Sequence, residues 1–154
     1  MKRKSVPSVY RHSILVSQEA IDANGHANNV EYLRWMQDAA VGHADTTGGT
    51  EATRKAGASW VVRSHHIEYL QPAFADDRLV VCTWVSHRRK ASSLRKYLLL
   101  RESDHALIAR GETNWVFVDR QSGRPIAIPN EVSSLFEVVP PSHEPGDPSK
   151  REVR

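Results

Sequence analysis

The order of helix-like and strand-like segments most strongly constrains what this chain of 154 residues can fold into. Helical spacing of apolar residues runs from about residue 29 to about residue 44 and stops before two consecutive glycines. Strand-like segments occupy 8–17, 59–70, 78–87, 93–102 and 107–119. The last three are joined by short polar turns, as in an antiparallel meander. The sequence therefore predicts an α+β domain with one long helix packed on an antiparallel sheet.

The predicted helix is too small to cover both faces of such a sheet. The strands after it are rich in aromatic and β-branched residues, so we expect a second subunit to cover the remaining apolar surface. One domain is predicted over residues 8–139. Residues 1–7 are expected to form a flexible N-terminus and residues 140–154 a disordered tail, because the latter are rich in proline and poor in apolar residues.

The charge distribution argues against a nucleic-acid partner. The net charge is +3 and the isoelectric point about 9.2, but six of the 21 basic residues lie at the two termini. Between residues 5 and 149 there are 15 basic and 17 acidic residues. This part of the chain therefore lacks the positively charged face that phosphate binding needs. No apolar run is long enough to span a membrane, and Cys82 has no partner for a disulfide. A soluble, cytoplasmic protein is expected.

A carboxylate, an amide and an imidazole alternate just before the predicted helix. Asp22, Asn24 and His26 surround Gly25, which favours a turn. An acid there can act as a base or a nucleophile, an amide can orient water, and an imidazole can shuttle a proton near neutral pH. Each residue also has a simpler interpretation, since Asp and Asn often bond their own backbone in turns and His26 can merely bridge loop and helix.

The start of the helix offers hydrogen-bond donors beside this motif. Asparagine is a strong N-cap, so Asn28 and Asn29 are interpreted mainly as cap and turn residues. The first amides of a helix have no partner within it. Those around Asn28, Asn29 and Val30 are therefore candidates to polarise a substrate carbonyl.

Three segments in order resemble a known family. They are the motif D-x-N-G-H-x-N-N-x-x-Y-x-x-W from Asp22 to Trp35, the segment IEYLQPA at 67–73 and the segment GETNWVFVD at 111–119. Together they resemble the hot-dog-fold thioesterases over residues 8–137, both the 4-hydroxybenzoyl-CoA thioesterase-like branch and the acyl-ACP thioesterases. The resemblance implies a sheet wrapped around a long central helix, with active sites at the interface of a homodimer; a homotetramer is also open.

The resemblance also implies roles for individual residues. Asp22, Asn24 and His26 match the D-x-N-x-H arrangement of acyl-ACP thioesterases, and Asp22 matches the single catalytic aspartate of the other branch. The implied reaction is hydrolysis of an acyl-CoA or acyl-ACP. No separate cofactor is then expected, because coenzyme A or phosphopantetheine arrives as part of the substrate. The step Pro72-Ala73 resembles the single-domain coenzyme A branch, which leaves the carrier open.

Two further groups of residues are candidates for substrate binding. Aromatic side chains are expected to line an acyl pocket, namely Tyr32, Trp35, Trp60 and Tyr69. The basic cluster at the turn after the third strand can contact the phosphates of coenzyme A, an acidic carrier protein or only solvent; its members are Arg88, Arg89, Lys90 and Ser92. No metal site is expected, since His65 and His66 are adjacent on a strand and point to opposite faces.

Two other functions remain open from the sequence. Hot-dog hydratases and dehydratases carry D-x-N-P-x-H, with the histidine five residues after the aspartate, whereas here the separation is four and glycine replaces proline. The spacing favours the thioesterase. A module that binds acyl-CoA without turnover is the second alternative.

Overall fold

The computed structural model describes residues 8–146 and has a five-stranded antiparallel sheet with one long helix across it. Strand β1 (Tyr10–Leu15) precedes helix α1 (Asn29–Thr47) and the short α2 (Gly49–Lys55). Four strands follow: β2 (Ala58–Tyr69), β3 (Arg78–Arg88), β4 (Ser92–Arg101) and β5 (Leu107–Asp119). The strand order is β1-β3-β4-β5-β2, and α3 (Asn130–Ser133) follows the sheet. The predicted fold class is confirmed, with every strand within two residues of its predicted bounds.

The main core lies between α1 and the inner face of the sheet. Alternate residues of the central strands point towards the helix, as the two-residue period of a strand requires. The buried core includes Met36 and Ala39 from α1, Leu79 and Val81 from β3, and Tyr97 and Leu99 from β4. Small residues on α1 allow the helix to lie close to the strands.

Gly111 of β5 marks the closest approach between the sheet and α1. A Cβ atom at this position would lie 2.7 Å from Met36 Cε and 3.1 Å from the carbonyl oxygen of His66. Met36 is completely buried, so its side chain has little room to withdraw. The close approach therefore requires a residue without a side chain at Gly111.

The segment after β5 returns to the outer face of the sheet. The Val139 amide donates to the Val85 carbonyl oxygen (2.9 Å), and Pro141–His143 form a 3-10 turn. Glu144 then accepts from Trp84 Nε1 (3.0 Å) and pairs with Lys96 Nζ (3.2 Å). Residues 140–146, predicted as the start of a disordered tail, are placed on the sheet through Glu144, a contact that the proline-rich composition does not reveal. Residues 1–7 and 147–154 lie outside the described part.

Substitution Gly111→Ala is expected to lower the free energy of unfolding by about 1–3 kcal/mol, because the added methyl group overpacks the contact with Met36. Urea denaturation measures this value. Gly146→Ala is the matched control, since a Cβ there meets no atom within 4 Å. An unchanged midpoint for Gly111→Ala would contradict the close packing described here.

Candidate active site

The loop that carries Asp22 is a short hairpin rather than an open connection. Ile21 and Ala27 form an isolated antiparallel bridge, and the Asp22 amide donates to the His26 carbonyl oxygen (3.1 Å). The Gly25 amide donates to the Asp22 carbonyl oxygen (3.0 Å), and Gly25 has φ +83°, which only glycine adopts readily. The turn predicted around Gly25 is present, and it brings Asp22 and His26 opposite each other.

The Asp22 carboxylate has one oxygen in use within the loop. Its Oδ1 accepts from the Asn24 amide (2.9 Å), which is an Asx turn and fixes the side chain relative to the backbone. No residue of 8–146 bonds Oδ2, and the side chain is half-buried. Asp22 therefore makes the turn bond that the simpler interpretation expects, and one carboxylate oxygen is left that could hold a water molecule or attack a carbonyl.

Asn24 and His26 contribute to the loop through their backbones. The Asn24 side chain is exposed and the His26 side chain is half-buried. Within the described residues, neither side chain makes a hydrogen bond to the protein. The structure thus brings the three predicted residues into one turn, and their catalytic roles stay predictions.

Ala73 fixes the loop to the rest of the domain. Its carbonyl oxygen accepts from the Ala27 amide (2.8 Å), while its own amide donates to the Tyr32 hydroxyl oxygen (3.1 Å). Burial raises the pKa of Tyr32, and the bond from Ala73 offsets part of that shift. The Tyr69 hydroxyl donates to the Asn29 carbonyl oxygen (3.0 Å) from the end of β2. Tyr32 and Tyr69 therefore hold the start of α1 in position.

Most of the amides predicted to polarise a carbonyl already have partners. The Asn28 amide donates to the Ala20 carbonyl oxygen (2.9 Å), and the Val30 amide donates to Asn28 Oδ1 (2.9 Å) in the N-cap. Among the described residues, the Asn29 amide has no acceptor. The prediction of three available donors is corrected to one, because the N-cap that starts the helix uses the donor at Val30.

A cavity of about 380 Å³ lies at the opposite end of α1, beside its C-terminal half. Its walls come from α1, α2, the first residues of β2, the end of β3, the start of β4, β5, and the region of α3. The aromatic and apolar lining residues include Ala40, Val41, Ala44, Trp60, Trp115, Ile128, Val132 and Phe136. The cavity lies where α1 has the small side chains of Ala40 and Ala44.

Only one of the four predicted pocket residues borders this cavity. Trp60 lines it, whereas Tyr32 and Trp35 are buried in the core near the start of α1 and Tyr69 is an exposed residue at the far end of β2. Tyr32, Trp35 and Tyr69 do not border this cavity, so their role as substrate-pocket residues stays a prediction. An aromatic residue type predicts packing against the helix. It does not show at which point along the helix a cavity forms.

The basic cluster after β3 divides into two parts. Arg88 lines the cavity, and its Nη1 donates to the carbonyl oxygens of Ser133 (3.0 Å) and Phe136 (2.7 Å). Arg89 and Lys90 are exposed in the turn between β3 and β4, and Ser92 is half-buried at the start of β4. Arg89 and Lys90 remain candidates for phosphate contact, whereas Arg88 mainly fixes the segment around α3.

Arg95 is a functional candidate that the sequence analysis missed. It lies on the inner face of β4, is only 5% exposed and borders the cavity. Its Nη1 donates to His43 Nδ1 (2.9 Å) and Thr83 Oγ1 (3.2 Å). The available signal was the alternation along β4, in which Arg95 shares the inward side with Tyr97 and Leu99. An arginine at an inward strand position is unusual.

The described residues contain no cluster of three or more His, Cys, Asp or Glu side chains placed to hold a metal ion. The His65 ring bonds the Thr113 hydroxyl on the inner face (2.8 Å), whereas His66 is exposed. Across residues 8–146, no helix is both long and apolar enough to cross a membrane.

This chain is similar in sequence to known proteins. A family model described as the thioesterase-like superfamily matches residues 16–136. The acyl-CoA thioesterase YbgC of Haemophilus influenzae is 28% identical over 125 residues, which are 80% of this chain and 90% of that protein.

Solved structures share the fold. The 1,4-dihydroxy-2-naphthoyl-CoA thioesterase Slr0204 of Synechocystis superposes with a TM-score of 0.76 at 15% identity, over 83% of this chain and 95% of that one. Protein SAV2348 of Staphylococcus aureus, solved in complex with CoA, gives 0.76 at 17% identity, over 87% of this chain and 85% of that one. At these identities the likeness shows the fold alone.

Substitution Tyr32→Phe is expected to lower the free energy of unfolding by about 1–3 kcal/mol, because it leaves the buried Ala73 amide without an acceptor. Tyr69→Phe is the matched control. It removes an exposed bond that water can replace, so the expected loss is at most about 1 kcal/mol. Thermal and urea denaturation of both variants decide the comparison, and equal losses would refute the anchoring role of Tyr32.

Proposed function

Because this chain belongs to the thioesterase-like superfamily, we propose that it hydrolyses acyl-CoA thioesters at the loop that carries Asp22. The predicted family and the predicted enzyme class, thioester hydrolase, are confirmed by the family match and by the similarity to YbgC. The observation that supports the site is the Asp22 carboxylate beside the start of α1, with Oδ2 and the Asn29 amide unused by residues 8–146.

The proposed reaction uses these two groups on one thioester. Asp22 takes a proton from water as the water oxygen bonds to the acyl carbon, and the Asn29 amide stabilises the developing oxyanion. The carbon–sulfur bond then breaks, and Asp22 returns the proton to the thiolate. Direct attack by Asp22 would instead form an anhydride that water hydrolyses. A single turnover in ¹⁸O-labelled water that places the label in Asp22 demonstrates direct attack, because water has then hydrolysed the anhydride at the aspartyl carbonyl. Label in the acid product alone is the result expected for the general base, and also for an anhydride that water hydrolyses at the acyl carbonyl.

Assembly as a homodimer is part of the proposal. β2 is an edge strand of 12 residues, paired on one side with β5. Long exposed edges are usually covered in native proteins. Apolar side chains lie exposed along β2 and just beyond it, at Val61, Tyr69, Leu70 and Phe74. We therefore place the subunit interface at antiparallel pairing of two β2 strands; a tetramer would need a further interface.

The positions of loop and cavity support the same dimer. Within one subunit they are at opposite ends of β2: Tyr69 contacts the start of α1, and Trp60 lines the cavity. Tyr69 lies nine residue steps along the strand from Trp60, roughly 30 Å at about 3.3 Å per residue. Antiparallel pairing of two β2 strands brings the loop of each subunit towards the cavity of its partner. In the proposed dimer, the reacting groups of one subunit therefore lie towards the cavity of the other, which provides space for the acyl group.

The proposed carrier is coenzyme A, and an acyl carrier protein is the alternative. The exposed Arg89 and Lys90 give a positive turn suited to phosphates, and SAV2348, which shares the fold, was solved with CoA. We also propose a cytoplasmic location, where the buried free thiol of Cys82 stays reduced.

Substitution Asp22→Asn is expected to lower kcat for acyl-CoA hydrolysis by about 10²- to 10⁴-fold, the usual contribution of a positioned base. The amide oxygen of asparagine still accepts from the Asn24 amide, so the turn and the stability are retained. Thiol release measured over short, long and aromatic acyl-CoAs tests this, with Asp38→Asn, an exposed acid of α1, as control. Full activity of Asp22→Asn would rule out its catalytic role, and hydration of an enoyl-CoA without thiol release would indicate the hydratase reaction.

The double substitution Arg89→Ala with Lys90→Ala is expected to raise KM for acyl-CoA several-fold and to leave kcat nearly unchanged, because it removes only contacts to the carrier. Arg124→Ala, in another exposed turn, is the control. Steady-state kinetics with acyl-CoA and with acyl-ACP at two ionic strengths provide the measurement. An unchanged KM for both carriers would exclude these residues from carrier binding.

A further inference from the structure

The cavity beside α1 is positively charged as well as apolar. Among the residues that the structure describes, four arginines and no Asp or Glu line it. Three of these arginines have evident partners. Arg54 pairs with Glu51, Arg88 bonds the carbonyl oxygens of Ser133 and Phe136, and Arg120 donates to the carbonyl oxygen of Ala58 (3.4 Å). Arg95 is different, because it is buried and no Asp or Glu of residues 8–146 pairs with it.

The guanidinium of Arg95 uses only part of its bonding capacity. Its five N–H groups include two on Nη1, which donates to His43 Nδ1 and Thr83 Oγ1. Nε and Nη2 have no acceptor within residues 8–146, and no Asp or Glu there forms an ion pair with Arg95. The group also packs over the Phe136 ring, with Cζ 5.8 Å from its centroid.

A buried guanidinium without a counter-ion is costly to maintain. Burial lowers the pKa of Arg95, which reflects the loss of hydration. The two bonds to His43 and Thr83 replace only part of the lost hydration. A carboxylate that entered the cavity would supply the missing charge and two acceptor oxygens in the planar arrangement that guanidinium groups prefer.

We propose that the cavity receives an acyl group with a carboxylate at the end remote from the thioester, and that Arg95 pairs with this carboxylate. The volume of about 380 Å³ lies within the usual range for small-molecule sites, about 300–1,000 Å³. Trp60, Trp115 and Phe136 surround the hydrocarbon part of the acyl group. The proposal rests on the proposed function for its reaction, but the binding of an anion in the cavity does not require turnover.

Hydrolysis of a matched substrate pair tests the preference. Adipoyl-CoA and hexanoyl-CoA have chains of equal length, and only the first carries a terminal carboxylate. The wild type is expected to favour adipoyl-CoA in kcat/KM by roughly 10- to 100-fold, as for a hydrogen-bonded charge. In Arg95→Met the ratio should fall to about one, whereas in Arg124→Met it should keep the wild-type value. A wild-type ratio near one, or a ratio that Arg95→Met does not change, overturns the proposal.

Direct binding separates this proposal from the thioesterase activity. Titration calorimetry with hexanoate and with hexanamide compares an anion with a neutral molecule of the same size. The wild type is expected to bind hexanoate at least 10-fold more tightly, and Arg95→Met to bind both equally. If the protein hydrolyses no thioester, the proposed function is refuted. The affinities for hexanoate and hexanamide still show whether Arg95 binds a carboxylate. Equal affinities in the wild type refute the proposal.

Discussion

The contact between α1 and the inner face of the sheet determines where everything else in this protein can lie. Gly111 lets the helix approach β5 so closely that Met36 is fully enclosed. With the helix held at this depth, its first turn emerges beside the 21–27 hairpin, and its last turns pass over the alanine-lined space near Trp60. The 21–27 hairpin and the cavity thus lie at the two ends of one packed helix.

The sequence predicted the fold well because the fold is encoded in local periodicity. Strand alternation and helical spacing predicted the five strands and α1. The residue types alone indicated an asparagine cap at the start of α1, which is Asn28, and the turn at Gly25. The packing of the segment at 140–146 was missed. It depends on Glu144 reaching Trp84 and Lys96, which are distant in sequence.

The candidate site was only partly predictable, for a related reason. Asp22, Asn24 and His26 are neighbours in the chain, so a motif could bring them together. The cavity arises from a gap between α1, β2 and the α3 region, and no single segment carries its signature. Arg95 became significant only when the structure showed a buried charge without a carboxylate among residues 8–146. Likewise, the Val30 amide proved unavailable because the cap that the sequence predicted already uses it.

The bond from Tyr69 to the Asn29 carbonyl links two parts of the molecule that are usually considered separately. Tyr69 belongs to the edge strand at the proposed interface, and Asn29 is the first residue of the helix beside Asp22. In the proposed dimer, a ligand that binds between the subunits stabilises the pair by mass action, so assembly and ligand affinity are linked reciprocally. Cellular supply of acyl-CoA would in this way help to set how much of the protein is assembled.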